Sequence, residues 1–269
     1  MNKKPTVLIT GAAGGIGKAV AFKFAENGYA LALVARSRGI DLLRDELDQV
    51  THDYSIFQGD LADFDFLSDV VARTVDRWGG LDVLVNNAAW RTLESMRTIS
   101  LENWEKTLRI CLTAPAFLAR YAAAAMEARG INGAIINISS VMAARAAGNS
   151  PAYVACKGAI ESLTRELAVL YGPKGIRVLT LSPGQVDTAM SSDYTDGEQA
   201  DISRVLAENM NVSTPLQRGG TPQEIANAVY WLSSDEASFV NGTTLMADGG
   251  FSANFSSYEM KKLQLPKEF

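Results

Sequence analysis

Seven short apolar runs, at 6–10, 30–35, 54–58, 82–86, 134–139, 176–181 and 243–247, alternate with amphipathic stretches at 16–27, 63–78, 101–129, 151–171 and 222–233. No other feature restricts the fold as much. Aliphatic and β-branched runs without polar alternation read as strands buried on both faces, and helices between them return the chain to start the next strand in the same direction. The expected class is therefore α/β: a doubly wound parallel sheet of seven strands with helices on both faces. A length of 269 residues suffices for one large core of this kind. With no internal repeat or linker, a single domain over 1–251 is expected, followed by a C-terminal tail over 252–269. One region breaks the alternation. Residues 189–215, rich in Ser, Asp, Glu and Gly with a short helical pattern at 202–209, follow the carboxyl end of a strand. Ligands bind at that end of such sheets, so this region reads as a mobile substrate lid.

The glycine run Thr10-Gly-Ala-Ala-Gly-Gly-Ile-Gly17 joins the first strand to the first helix. Glycines let the backbone turn tightly and approach a pyrophosphate, while the helix amino terminus offers unpaired N–H groups and partial positive charge. An ordinary glycine-rich turn would use the same residues, but one placed straight after strand one and opening a helix points to dinucleotide binding. Thr10, Gly11, Ala13, Gly15, Ile16 and Gly17 are the candidate contacts. Two glycine spacings fit the run, Gly11-Gly15-Gly17 and Gly11-Gly14-Gly17.

Strand two ends Val34-Ala35-Arg36-Ser37-Arg38, with no acid before Asp41. An acid there accepts from an adenosine ribose hydroxyl; a basic residue accommodates a 2′-phosphate instead. The expected cofactor is therefore NADP(H), with NAD(H) as the alternative and Arg36 and Ser37 as the contacts.

Tyr153 and Lys157 stand four residues apart, just after Pro151, at the start of a long run of helix formers. Proline is tolerated in the first helical turn, and a spacing of four puts phenol and ammonium on one face. A lysine cation held close stabilises a phenolate and makes a tyrosine usable as acid or base near neutral pH. Ser140, at the end of an apolar run, can bring a hydroxyl to the same reacting oxygen. Alone the pair is weak, since many helices place a solvated lysine beside a half-buried ring.

Composition removes other classes. The formal net charge of −5 and a pI of about 5.1 argue against nucleic-acid binding. No apolar run approaches the ~20 residues of a membrane span. Met-Asn-Lys-Lys-Pro is a short prelude for a signal peptide, and Cys111 and Cys156 form no disulfide framework, so a cytoplasmic location is expected. His52 is the single histidine, which leaves no metal constellation and no Ser-His-Asp triad.

Together these stretches resemble the short-chain dehydrogenase/reductase family in its compact form, from Thr6 to about Phe251. Asp60 in Gly-Asp-Leu61 matches the family's adenine contact, and Asn86-Asn87-Ala88-Ala89 resembles its N-N-A-G, which lines the cofactor cleft. Ser140, Tyr153 and Lys157 match its catalytic serine and Y-x-x-x-K. Pro183-Gly184-Gln185-Val186-Asp187-Thr188 resembles P-G-x-x-x-T, whose Val186 and Thr188 would hold the nicotinamide carboxamide. Residues 241–250 resemble the last strand and its exit. The resemblance settles the glycine spacing in favour of the compact form. It implies a Rossmann-type oxidoreductase that interconverts a carbonyl and a secondary alcohol by hydride transfer, with Tyr153 as acid/base. It also implies a homotetramer, in which the alanines at 122–125 would permit close helix approach. One position departs from the family. Counting seven residues from Trp104, where the family has a water-holding asparagine, gives Cys111. A thiol bonds weakly, so Cys111 is read as a small core-facing side chain, with an altered proton relay or redox-sensitive thiol as the alternative; Cys156 is read as packing. A non-catalytic sensor or scaffold of the same fold is the competing reading, and isomerase or dehydratase chemistry is disfavoured by the compact length. For a small-molecule substrate (a 3-oxoacyl thioester, a sugar or a cyclic ketone) the pocket candidates are Trp90, Met142, Gln185 and Met190, joined by Arg91, Val141, Arg145, Asn149 and Tyr194.

Overall fold

A computed structural model of the chain describes residues 4–36, 39–188, 190 and 202–269. Within them the strands β1 (Thr6–Thr10), β2 (Ala30–Ala35), β3 (Tyr54–Gln58), β4 (Val83–Asn86), β5 (Ala134–Ile138), β6 (Arg177–Pro183) and β7 (Thr244–Ala247) form one sheet in the order 3-2-1-4-5-6-7. Every pairing is parallel. Successive residues of each inner strand serve opposite layers. Val7 and Ile9 of β1 pack beneath α1 (Gly15–Glu26) and α8 (Pro222–Ser233), whereas Leu8 packs beneath α3 (Phe64–Trp78) and α5 (Ala114–Glu127). The period of two in strand geometry thus accounts for a run without polar residues, because both faces are core.

The predicted strands all form, with ends shifted by a residue or two. The expected helix over 101–129 divides into α4 (Leu101–Leu108), a π turn (Arg109–Thr113) and α5. Pro115 has no N–H to give the carbonyl four residues back, that of Cys111, and the helix resets through the wider turn. Two helices were not expected: α2 (Ile40–Leu47) and α9 (Tyr258–Gln264) in the tail. α6 (Pro151–Tyr171) forms as predicted, and the pattern at 202–209 extends to α7 (Ile202–Ser213). Of the expected lid, 189 and 191–201 lie outside the described residues.

Ala122 and Ala123 are fully buried in the core, where small side chains let α5 lie close to the sheet and to α3. The start of the C-terminal tail bonds to the rest of the chain. Arg145 donates to the carbonyls of Ser252 and Asn254, both at 2.8 Å, Asn254 Nδ2 donates to Ser213 O at 2.7 Å, and Lys261 Nζ donates to Asn254 Oδ1 at 2.6 Å. The first part of the tail is therefore tied to its own chain.

Candidate active site

A cavity of about 800 Å³ opens along the carboxyl edge of the sheet, where β1, β2, β4, β5 and β6 all end. At the β1 end the turn is built from close approaches that tolerate no side chain. A Cβ on Gly17 would lie 2.2 Å from Gly11 O and 2.5 Å from Asn87 Nδ2. Gly11 adopts φ +69°, and its Cβ would meet Ala88 Cα at 2.9 Å. Thr10 locks the two strand ends together: its Oγ1 accepts from the N–H groups of Asn87 and Ala88, each at 3.0 Å, while Asn87 Nδ2 donates to Thr10 O at 2.9 Å. Gly14, the N-cap of α1, offers no capping side chain, whereas Asp63, Ser100 and Thr221 cap α3, α4 and α8. The first-turn N–H groups of α1 are thus left for a ligand, beside a glycine where a Cβ would meet nothing within 4 Å.

Of the candidate cofactor contacts, Gly11, Ala13, Gly15, Ile16, Arg36, Asp60, Leu61, Asn87, Ala88, Pro183, Gly184, Val186 and Thr188 line this cavity. Thr10 and Gly17 shape the turn from behind it. Ser37 lies outside the described residues. Arg36 is exposed at the end of β2, with its guanidinium 5.6 Å from the Trp90 ring centre. A Cβ on Gly15 would come within 3.2 Å of the Thr188 methyl, so the first turn and the segment after β6 face each other across a narrow channel.

At the centre stand Ser140, Tyr153 and Lys157, brought together by the end of β5 and the first turns of α6. Lys157 is 3% exposed and donates to Ile138 O at 2.6 Å, with its ammonium 5.2 Å from the centre of the Tyr153 ring. Its position is braced one residue along: Ser139 Oγ donates to Lys157 O at 3.2 Å and to Glu161 Oε1 at 2.8 Å. Ser140 Oγ accepts from Met142 N at 3.2 Å, which orients the hydroxyl and leaves its proton for an oxygen in the cavity. Tyr153, 7% exposed, packs with Ile110, Cys111 and Cys156, and among the described residues its hydroxyl has no hydrogen-bond partner. Behind them Asn86 Nδ2 donates to Asn137 Oδ1 at 2.9 Å, and Asn137 Nδ2 to Thr164 Oγ1 at 2.9 Å, a buried polar brace linking β4, β5 and α6.

Cys111, buried in the π turn beside Tyr153, clamps Trp90 at both ends: its Sγ donates to Trp90 O and accepts from Trp90 N, each at 3.2 Å. Burial pushes its thiol up from the ordinary value, against the opposing pull of the Lys157 ammonium, and burial pushes Cys156 up to about 12. A raised value keeps a thiol protonated, and only the thiolate is a nucleophile. At pH 8 neither cysteine is expected to react with a disulfide reagent in the folded protein, whereas both react in denaturant. Rapid native labelling at Cys111 would contradict this.

All the pocket candidates read from the sequence line the cavity except Tyr194, which lies outside the described residues. The sequence did not single out Ser203, Leu206, Ala207 and Met210 of α7, or Phe251 after β7. Helical periodicity marks α7 as a helix but not which wall it covers. Phe251 is held by Asp248, which accepts from Gly250 N at 2.9 Å and Ser252 N at 2.8 Å. Burial alone would raise that carboxyl; its hydrogen bonds to Ser252 and Gly250 hold it below its usual range.

Residues 11–252 match the family model described as enoyl-(acyl carrier protein) reductase. An uncharacterized oxidoreductase of Thermotoga maritima is 36% identical over 93% of this chain and 96% of its own length. A cis-4-hydroxycyclohexanecarboxylate dehydrogenase of Sinomonas cyclohexanicum is 35% identical over 91% of this chain and 96% of its own. Among solved structures, ligand-free aldohexose dehydrogenase of Thermoplasma acidophilum superposes with a TM-score of 0.83 at 28% identity, over 94% of this chain and 96% of that one. Similarity of that extent, on a sheet edge shaped for a dinucleotide, has one meaning: the chain belongs to the short-chain dehydrogenase/reductase family and is an NAD(P)-dependent enzyme acting on CH–OH groups.

Proposed function

We propose that the protein is an NADP(H)-dependent dehydrogenase that interconverts a secondary alcohol and a carbonyl, with Tyr153 as the acid/base. The observation that carries this reading is the buried Lys157 ammonium beside the Tyr153 ring, pinned to Ile138 O at 2.6 Å in the wall of the cavity. The uncapped start of α1 and the Gly11 and Gly15 backbone would hold the pyrophosphate, with Val186 and Thr188 along the nicotinamide. When bound, the nicotinamide supplies a hydride acceptor or donor. The chain's own work is to place and polarise. Tyr153 takes the hydroxyl proton of an alcohol, or returns it to a carbonyl oxygen. Ser140 donates to that same oxygen and steadies its developing charge, a contribution that grows in a site shielded from water. Lys157 sets a positive charge beside the Tyr153 ring, fixed in place by its backbone contact.

Arg36 supports NADP over NAD. A charge-assisted bond to a 2′-phosphate is worth about 1.5–3 kcal/mol, roughly ten- to a hundredfold in affinity. Arg36→Ala should therefore weaken NADP+ binding by about that factor and leave NAD+ within about threefold; equal loss for both would refute the assignment. With this activity we propose a cytoplasmic homotetramer of the 28.9 kDa chain, and light scattering at the mass of a monomer would overturn the assembly. Relatives named for their substrates act, by those names, on a hydroxycyclohexane carboxylate and on aldohexoses. A panel of ring alcohols with NADP+ and NAD+ tests the reading, and absence of turnover across alcohols and carbonyls of every class would sink it.

A further inference from the structure

Asn254 does not line the cavity, yet it bonds to two elements that do. α7 supplies Leu206, Ala207 and Met210 to the cavity, and the loop after β5 supplies Ser140, Met142 and Arg145.

α7 is the weakly held member of the pair. None of its residues is buried, whereas α3 buries Leu67, Val70, Val71, Thr74 and Val75. A helix without buried side chains gains little from packing, so its place depends on what ties its ends. The last carbonyls of a helix have no partner within it. Those of Met210, Asn211 and Val212 accept from Thr214 Oγ1, Thr214 N and Gln217 Nε2, all in the same stretch of chain. The Ser213 carbonyl is instead met from 41 residues away, by Asn254 Nδ2 at 2.7 Å. The chain leaving β7 also lies against the chain leaving α7. Leu216 N donates to Gly249 O at 3.2 Å, and a Cβ on Gly249 would fall 2.7 Å from the Thr214 methyl.

A second tie runs to the loop of Ser140. Arg145 Nη2 bridges the carbonyls of Ser252 and Asn254, and Arg145 N donates to Val141 O at 2.9 Å. Asp248 closes the turn between the two ties, accepting from Gly250 N, Ser252 N and Ser252 Oγ. Lys261 Nζ donates to Asn254 Oδ1 at 2.6 Å, which fixes the amide with its N–H on Ser213. The side chain of Asn254 and its own carbonyl therefore join α7 to the loop of Ser140.

Resting on the dehydrogenase reading above, we infer that Asn254 is a positioning residue for the substrate, holding α7 at a fixed separation from the loop of Ser140 so that both are in place before an alcohol binds. Order that precedes binding spares the ligand the work of imposing it, and a competent state populated only in part lowers apparent affinity in proportion. Cofactor binding and the chemical step are independent of this tie, because the glycine turn is locked to β4 and Lys157 to β5.

The test compares Asn254→Ala and Asn254→Asp with the unaltered protein. KM and kcat are measured with NADP+ on cyclohexanol, 4-hydroxycyclohexanecarboxylate and glucose, and amide exchange is followed by mass spectrometry. Alanine removes both side-chain bonds, whereas aspartate keeps an acceptor for Lys261 but has no N–H for Ser213 O. Both variants should raise KM about fivefold, with kcat and NADP+ affinity within about twofold, and the α7 amides should exchange about fivefold faster. Lys262→Ala, exposed on α9, should change none of these. Faster exchange with unchanged KM would make the tie purely structural and overturn the inference. Equal losses in kcat and cofactor affinity would overturn it too, since the damage would then be general. If the unaltered protein turns over none of the three alcohols, the dehydrogenase reading loses its support, and calorimetric Kd for the same alcohols takes the place of KM. A Kd raised by both variants would then support the inference, and an unchanged Kd, or no binding at all, would overturn it.

Discussion

Tyr153→Phe should lower kcat by about 10³ while NADP+ binds within about threefold of the unaltered protein, because general acid–base transfer by a positioned side chain contributes roughly 10²–10⁴. The phenyl ring keeps the contacts with Ile110, Cys111 and Cys156 that anchor this end of α6. Among the described residues nothing hydrogen-bonds the lost hydroxyl, so its removal leaves no buried group unpaired and the melting temperature should barely move. Stopped-flow turnover beside a cofactor titration separates the effects. A variant that keeps more than about a tenth of kcat would remove Tyr153 from the acid/base role.

Gly17→Ala should strike the other end of the site, and through packing rather than chemistry. The added methyl would fall 2.2 Å from Gly11 O and 2.5 Å from Asn87 Nδ2, and these two atoms belong to the lock that Thr10 forms between β1 and β4. A backbone oxygen cannot swing aside as a flexible side chain does, so the turn must shift. Overpacking of this kind is destabilising by about 1–3 kcal/mol, on the order of 5 °C in Tm for a chain of this size. The same shift moves the start of α1, and NADP+ affinity should fall at least about a hundredfold, since several contacts of about 1 kcal/mol are lost together. Gly14→Ala is the control: its Cβ has open space, so stability should hold. Equal Tm and equal affinity in Gly17→Ala would show that the turn tolerates a side chain and that its geometry has been misread.

The strands were legible because a parallel sheet covered on both faces needs uninterrupted apolar runs, and few other structures do. α6 was legible through Pro151 and the spacing of Tyr153 and Lys157, both local properties. The division of α4 from α5 was not, although Pro115 marks the place where a helix must lose a hydrogen bond. α2 was missed because its buried face is only Ile40, Leu43 and Leu47 among charged residues. Cys111 shows most plainly what spacing cannot supply. Its count from Trp104 marked a departure from the family, but the reciprocal bonds to Trp90 join residues 21 apart and exist only once the π turn aims the thiol at the end of β4.

The measurement that bears most directly on the central claim is isotopic. The protein would be incubated with NADP+ and a panel of ring alcohols deuterated at the carbinol carbon, and the cofactor analysed by mass spectrometry. Deuterium on the reduced cofactor, with a primary isotope effect on the rate and no transfer in Tyr153→Phe, is the expected result. Saturable binding of NADP+ with no deuterium on the cofactor from any alcohol would contradict the dehydrogenase reading and leave a dinucleotide-binding protein without hydride chemistry.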